Sequence, residues 1–78
     1  MKEVKLITLL KLYSYETHIE LVDSDDLYSD FKTLYNGRLG NLKFEDANEW
    51  DEMYYVNHMY LHENKVVVHL SRRKQRQN

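Results

Sequence analysis

Hydrophobic and polar positions alternate most clearly at the C-terminal end of the chain. Two runs of strand-forming residues, YYVNHMYLH and KVVVHL, flank a polar Glu63-Asn64 break, which is the signature of a β-hairpin. A two-residue turn there pairs His62 with Lys65, Leu61 with Val66, Tyr60 with Val67, Met59 with Val68 and His58 with His69. A four-residue loop keeps this register, whereas a three-residue loop mixes the two faces. Slipping by one residue turns an apolar face toward water, so the first register is favoured. It gathers Met59, Leu61, Val66, Val68 and Leu70 on an aliphatic inner face. Tyr54, His58, Tyr60, His62 and His69 then form an outer face, too aromatic for ordinary solvated surface.

Upstream, Leu6, Leu9, Leu10 and Tyr13 recur at helical spacing with Ile7 beside them, and the pattern predicts a helix over Lys2 to Tyr13. Glu3 lies where the helix dipole favours an anion. A helix this short needs a packing partner. Glu16 to Asp23 alternates cleanly and predicts a strand, followed by the turn formers Asp23-Ser24-Asp25-Asp26. Leu27 to Tyr35 admits two readings. As a helix it is capped by Ser24 and ended by Gly37. As a strand it returns beside Glu16 to Asp23 and ends at Asn36-Gly37. The strand is preferred, because the preceding strand must pair. Arg38 to Glu52 reads as a connection anchored by Leu39, Leu42, Phe44 and Trp50, with room for a short second helix.

The sum is one α+β domain over residues 1–71: an N-terminal helix on a four-stranded antiparallel sheet made of two hairpins. Its expected inner layer is Leu6, Ile7, Leu10, Ile19, Leu21, Phe31, Met59, Leu61, Val66, Val68 and Leu70.

Composition narrows the functional classes. The 78 residues make one domain, marginal without a staple. The chain has no cysteine, which removes disulfides and thiolate metal sites and fits a reducing cytoplasm. Met1 to Tyr13 lacks the pattern of a signal peptide, and no apolar run reaches the roughly 20 residues of a membrane span. A cytoplasmic protein without membrane attachment is therefore expected. Seven tyrosines favour association, so a homodimer is expected. The net charge of −2 hides an acidic body and a basic end, since all 13 acids precede Arg72, Arg73, Lys74 and Arg76. Residues 72–78 read as a flexible tail able to attract nucleic acid without sequence preference.

Candidate chemistry is sparse. His58 and His69 stand opposite, about 4.5–5.5 Å apart at their β-carbons. Two imidazoles do not complete a zinc site, so no metal and no cofactor are expected. Asp25, Asp26, Asp30, Glu45, Asp46, Glu49, Asp51 and Glu52 form an acidic surface. Such a surface is either simply solvated or suited to a groove built for phosphates. No serine sits in a nucleophile elbow, no glycine-rich phosphate loop is present, and Gly37-Arg38-Leu39-Gly40 lacks the flanking helices of an RNA clamp. An enzyme is not expected.

A short leading helix, a strand, LYNGRLGNL (Leu34 to Leu42) and the closing hairpin Tyr54 to Leu70 together resemble many small uncharacterised proteins encoded by phages and mobile elements of Gram-positive bacteria. In those an aromatic-X-Gly step ends a strand, the place of Tyr35-Asn36-Gly37 here. The resemblance implies an α+β fold and a mobile-element origin, and transfers no functional residue. The resulting expectation is a non-enzymatic interaction protein, an inhibitor of host defence of the anti-CRISPR kind in its sharpest form. It would dimerise or bind a host protein through Tyr54, His58, Tyr60, His62 and His69. The alternative is a nucleic-acid binder using Arg72, Arg73, Lys74 and Arg76 with the same aromatic face. A third reading is a subunit whose active site forms only between copies.

Overall fold

The computed structural model describes residues 4–25 and 31–73. In chain order these form α1 (Leu6–Leu10), β1 (His18–Asp23), β2 (Lys32–Arg38), a 3-10 turn (Leu39–Asn41), α2 (Phe44–Met53), β3 (Tyr54–His62) and β4 (Lys65–Arg72). The strands make one sheet in the order β2-β1-β4-β3. The α+β class and the four strands match the expectation, but the sheet is mixed rather than wholly antiparallel. Each hairpin is antiparallel, while the two central strands β1 and β4 run parallel. The reason is the connection between the hairpins. The chain leaves β2 at the end where β1 begins, and α2 carries it back to the opposite end. Strand β3 therefore starts in the direction of β2, and β4 returns in the direction of β1.

The core forms where α1 and α2 cover one side of this sheet. Leu6, Ile19, Leu21, Val68 and Leu70 are fully buried there, joined by Leu9, Leu10, Leu39, Ala47 and Val66. The N-terminal helix is shorter than its periodicity suggests, ending at Leu10. The chain must turn there to enter β1, and the segment is pinned to the 3-10 turn. Leu39 N–H donates to the Thr17 carbonyl and Gly40 N–H to the Tyr15 carbonyl, both at 2.8 Å. Gly40 permits this approach, since a β-carbon there would meet Tyr15 Cβ and its carbonyl oxygen at 3.1 Å. The strand reading of Leu27 to Tyr35 holds over Lys32 to Tyr35, and the strand runs on through Asn36-Gly37 to Arg38. Residues 27–30 lie outside the described residues.

The closing hairpin has the expected register from His62–Lys65 to His58–His69. Its turn places Glu63 and Asn64 at φ 48° and 67°, the two positive angles of a type I′ turn, whose twist matches that of the strands. Upstream a β-bulge falls between Val56 and His58. Asn57 is the extra residue, and its side-chain amide donates to Ser71 Oγ at 2.8 Å. One extra residue inverts the phase of everything before it. Tyr54, expected on the outer face, is therefore turned into the core at 4% exposure. Phe31 is displaced the other way: expected in the inner layer, it is 57% exposed and packs beside His69. Met59 and Leu61 lie on the inner side as expected, yet at the uncovered end of β3 they remain 37% and 74% exposed.

At the opposite end of the sheet the fold is clasped by Asp23, which is fully buried. Its Oδ2 accepts from Tyr54 Oη at 2.9 Å and from Arg72 Nε and Nη2 at 3.0 and 2.9 Å. Its Oδ1 accepts from Asp25 N–H at 2.9 Å, and Asp25 Oδ2 accepts in turn from Arg72 N–H at 2.8 Å. Burial opposes ionisation of Asp23, but the donors from Asp25, Arg72 and Tyr54 together hold its carboxyl below the usual range. Tyr54 is pushed up, by burial first and by the neighbouring carboxylate second.

Asp23→Ala strands Tyr54 and Arg72 together, and urea unfolding should show a loss of about 3 kcal/mol or more. Arg72→Ala should also destabilise in this assay, because it leaves the buried Asp23 carboxylate without its guanidinium partner. Asn64→Gly should raise stability by about 0.5 kcal/mol in the same assay, since glycine accepts the positive φ without strain.

Candidate protein-binding face

The side of the sheet away from the helices carries the aromatic residues. Strand register arranges them in three rows across the four strands. One row is Asn36, Glu20, Val67 and Tyr60. The next is Thr33, Val22, His69 and His58. The last is Arg38, His18, Lys65 and His62. Val22 and Val67 form the floor at 5% and 4% exposure. Above them three rings pack around His69. Its centroid lies 5.0 Å from Phe31 with the planes at 85°, 5.7 Å from His58 at 70° and 5.6 Å from Tyr60 at 36°. His58 and Tyr60 complete the ring of contacts at 5.4 Å. Edge-to-face and offset geometries of this kind are favourable for aromatic pairs. Between Phe31 and Tyr60 lies an open cleft of about 330 Å³.

The charged groups at the end of this cleft neutralise one another. Lys65 Nζ meets Glu20 Oε1 at 2.8 Å, and Thr33 Oγ1 donates to Glu20 Oε2 at 3.4 Å. The Lys65 hydrogen bond outweighs burial and holds Glu20 below its ordinary range, while the same bond raises Lys65. His18 Nε2 and Asn36 Oδ1 are 2.6 Å apart, and His62 approaches the exposed Glu63 at 3.5 Å. His69 is held below the usual histidine value, by burial first and by the facing His58 second. Among the described residues no three or more histidine, cysteine or carboxylate side chains gather as a metal site would need. The face offers flat rings, an apolar floor and a neutralised rim, which is the make-up of a recognition surface.

Of the residues expected on this face, His58, Tyr60, His62 and His69 are together and Tyr54 is not. Phe31, expected in the inner layer, belongs to it instead, together with Glu20 and Thr33. Val22 and Glu20 were legible from the alternation of β1, but the phase of Phe31 was lost across the turn that precedes it.

The acidic residues are dispersed. Glu45, Asp46, Glu49 and Glu52 are exposed on α2. Asp51 Oδ1 accepts from Ile7 N–H at 3.2 Å, and Asp25 belongs to the Asp23 clasp. Asp26 and Asp30 lie outside the described residues. The basic end is not all tail. Arg72 closes β4, and Arg73 donates its backbone N–H to the Met53 carbonyl at 2.9 Å and its guanidinium to the Asp51 carbonyl at 3.0 Å. Lys74 and Arg76 lie outside the described residues. A second hollow of about 670 Å³ lies between α1, the 3-10 turn and α2, and its lining holds no carboxylate or imidazole. No helix among the described residues is long and apolar enough to cross a membrane.

The lowered His69 value carries a sign. The unfolded ring takes up a proton near pH 6.5, more readily than the folded one, so acid favours the unfolded chain. The melting temperature should therefore fall as pH drops from about 7 to 5, and His69→Gln should flatten that slope. The Glu20 and Asp23 carboxylates, both held low, add a separate loss that begins only below about pH 4.5.

Comparison of the chain with protein-family models, with curated proteins and with solved structures found no match in any of the three.

Proposed function

We propose that this chain is a small non-enzymatic interaction protein that binds a protein partner through the outer face of its sheet. The observation that carries this reading is the packed set of Phe31, His58, Tyr60 and His69 over Val22 and Val67. These rings are ordered on one another and remain open to a partner. Rigid aromatic groups over an apolar floor supply contact area at low entropic cost, the usual make-up of an interface hot spot. The rim suits a protein rather than a polyanion, because Lys65 is neutralised by Glu20.

The nucleic-acid alternative is weakened on the same grounds. Arg72 is committed to Asp23, and Arg73 to the carbonyl oxygens at the end of α2. On the far side, Glu45, Asp46, Glu49 and Glu52 give α2 an exposed acidic surface that can steer a basic partner. The resemblance carried by Tyr35-Asn36-Gly37 and the closing hairpin supports a phage or mobile-element origin. The sharpest version is then an inhibitor of host defence in the bacterial cytoplasm.

The test is co-purification of the tagged chain with a host protein, followed by Tyr60→Asp and Phe31→Asp. Both side chains are exposed, so the variants should keep their far-ultraviolet circular dichroism while weakening the partner at least about tenfold. Salt-dependent binding to single-stranded oligonucleotides that persists in both variants would replace this reading with the nucleic-acid one.

A further inference from the structure

A different surface, the open edge of β3, points to a second copy of this chain. Both β2 and β3 are edge strands. Strand β2 carries Lys32 and Arg38 at its two ends, and the Tyr35 hydroxyl donates to the Arg38 carbonyl. Charge at the ends of an edge strand discourages further pairing. Strand β3 has no lysine, arginine, carboxylate or proline in its nine residues. Its first part is protected: the bulge interrupts the edge at Asn57, and Val56 N–H donates to the Val4 carbonyl at 3.3 Å. From Asn57 to His62 every residue is exposed. Among the described residues no backbone hydrogen bond reaches the outer edge of this stretch.

The hairpin turn determines which backbone groups face that edge. In a two-residue turn the flanking pair, His62 and Lys65, is hydrogen-bonded. Antiparallel pairs alternate between bonded and non-bonded, so Tyr60–Val67 and His58–His69 are bonded and Leu61–Val66 and Met59–Val68 are not. The N–H and C=O of Met59 and Leu61 therefore point away from β4 into the open edge. These two residues are complementary to themselves. In an antiparallel pairing of β3 with its copy about a two-fold axis at Tyr60, Met59 stands opposite the copy's Leu61 and both bring outward-facing donors and acceptors.

We propose that two copies associate by this edge-to-edge pairing over His58–His62, merging two four-stranded sheets into one. The side chains favour it as the backbone does. Leu61, 74% exposed, and Met59, 37% exposed, meet across the axis on the inner side. Tyr60 meets its own copy on the outer side, flanked by His58 against the copy's His62. No fixed charge on the strand repels its copy. The symmetric, isologous contact closes at a dimer.

Sedimentation velocity should find a species of twice the 9.5 kDa chain mass. Met59→Pro removes only an outward-facing N–H, a position where edge strands accept proline, and should weaken the dimer at least about tenfold with its circular dichroism unchanged. Leu61→Lys places a charge on the edge and should do the same should the proline variant misfold. The chain has no cysteine, so Tyr60→Cys can report the register. Non-bonded antiparallel partners lie about 4.5 Å apart at Cα, within disulfide reach. Tyr60→Cys should therefore oxidise to a linked dimer while Asn57→Cys does not. A chain that stays monomeric at its highest soluble concentration overturns the proposal. So does a dimer indifferent to both Met59→Pro and Leu61→Lys, or equal cross-linking at 57 and 60. Monomeric Met59→Pro that still captures the host partner separates this edge from the aromatic face.

Discussion

A buried carboxylate is tolerable only when both its oxygens are hydrogen-bonded, and Asp23 meets that condition with donors drawn from two strands and a turn. Tyr54 begins β3, Arg72 closes β4, and Asp25 lies just past the end of β1. One side chain thus fixes where three elements start or stop. The backbone N–H of Arg72 is held by Asp25, so the clasp also determines where β4 stops. The parallel pairing of β1 with β4 depends on this, because Asp23 lies opposite Leu70 at the end of that ladder. Beside the clasp, Ser24 N–H and Oγ on the Leu70 carbonyl also join the two hairpins at that end.

The same requirement explains the bulge. A regular β3 would project Tyr54 and His58 to the same side, and Tyr54 could not then reach Asp23. The extra residue Asn57 turns Tyr54 inward while leaving His58, Tyr60 and His62 outward, so one strand serves the core at its start and the open face at its end. Because Asn57 itself bonds to Ser71, the irregularity is held in place. Strand β3 is therefore divided: a closed half fastened by Tyr54 and Val4, and an open half exposed on every residue.

What the residues disclosed in advance follows from the range of each interaction. The register of the last hairpin was legible because period-2 patterning and a two-residue turn act over neighbouring residues. The strand from His18 was legible for the same reason, and the seam of Leu6, Leu9 and Leu10 marked α1. Tyr54 was misplaced because the bulge at Asn57 leaves no trace in hydrophobic periodicity. Phe31 was misplaced because phase does not carry across the turn after Asp23. The parallel centre was invisible because hairpin signals say nothing about how two hairpins dock, which α2 decides by returning the chain to the far end. Arg72 and Arg73 read as tail because their partners, Asp23 and the end of α2, are distant in sequence.

The two sides of the sheet also differ in what they can yield. On the helix side Ile19, Leu21, Val68 and Leu70 are fully excluded from water, and a small domain has little such burial to lose. On the open side Val22 and Val67 are shielded only by rings that themselves touch solvent. Charging His69 would place a cation directly above that floor, where burial disfavours it, so the cover of Val22 and Val67 weakens. Acid sensitivity thus resides on the face proposed for recognition, whereas the Asp23 carboxyl, on the helix side of the sheet, is held below its usual range. A mildly acidic medium should accordingly loosen the outer face while the hairpins stay fastened together.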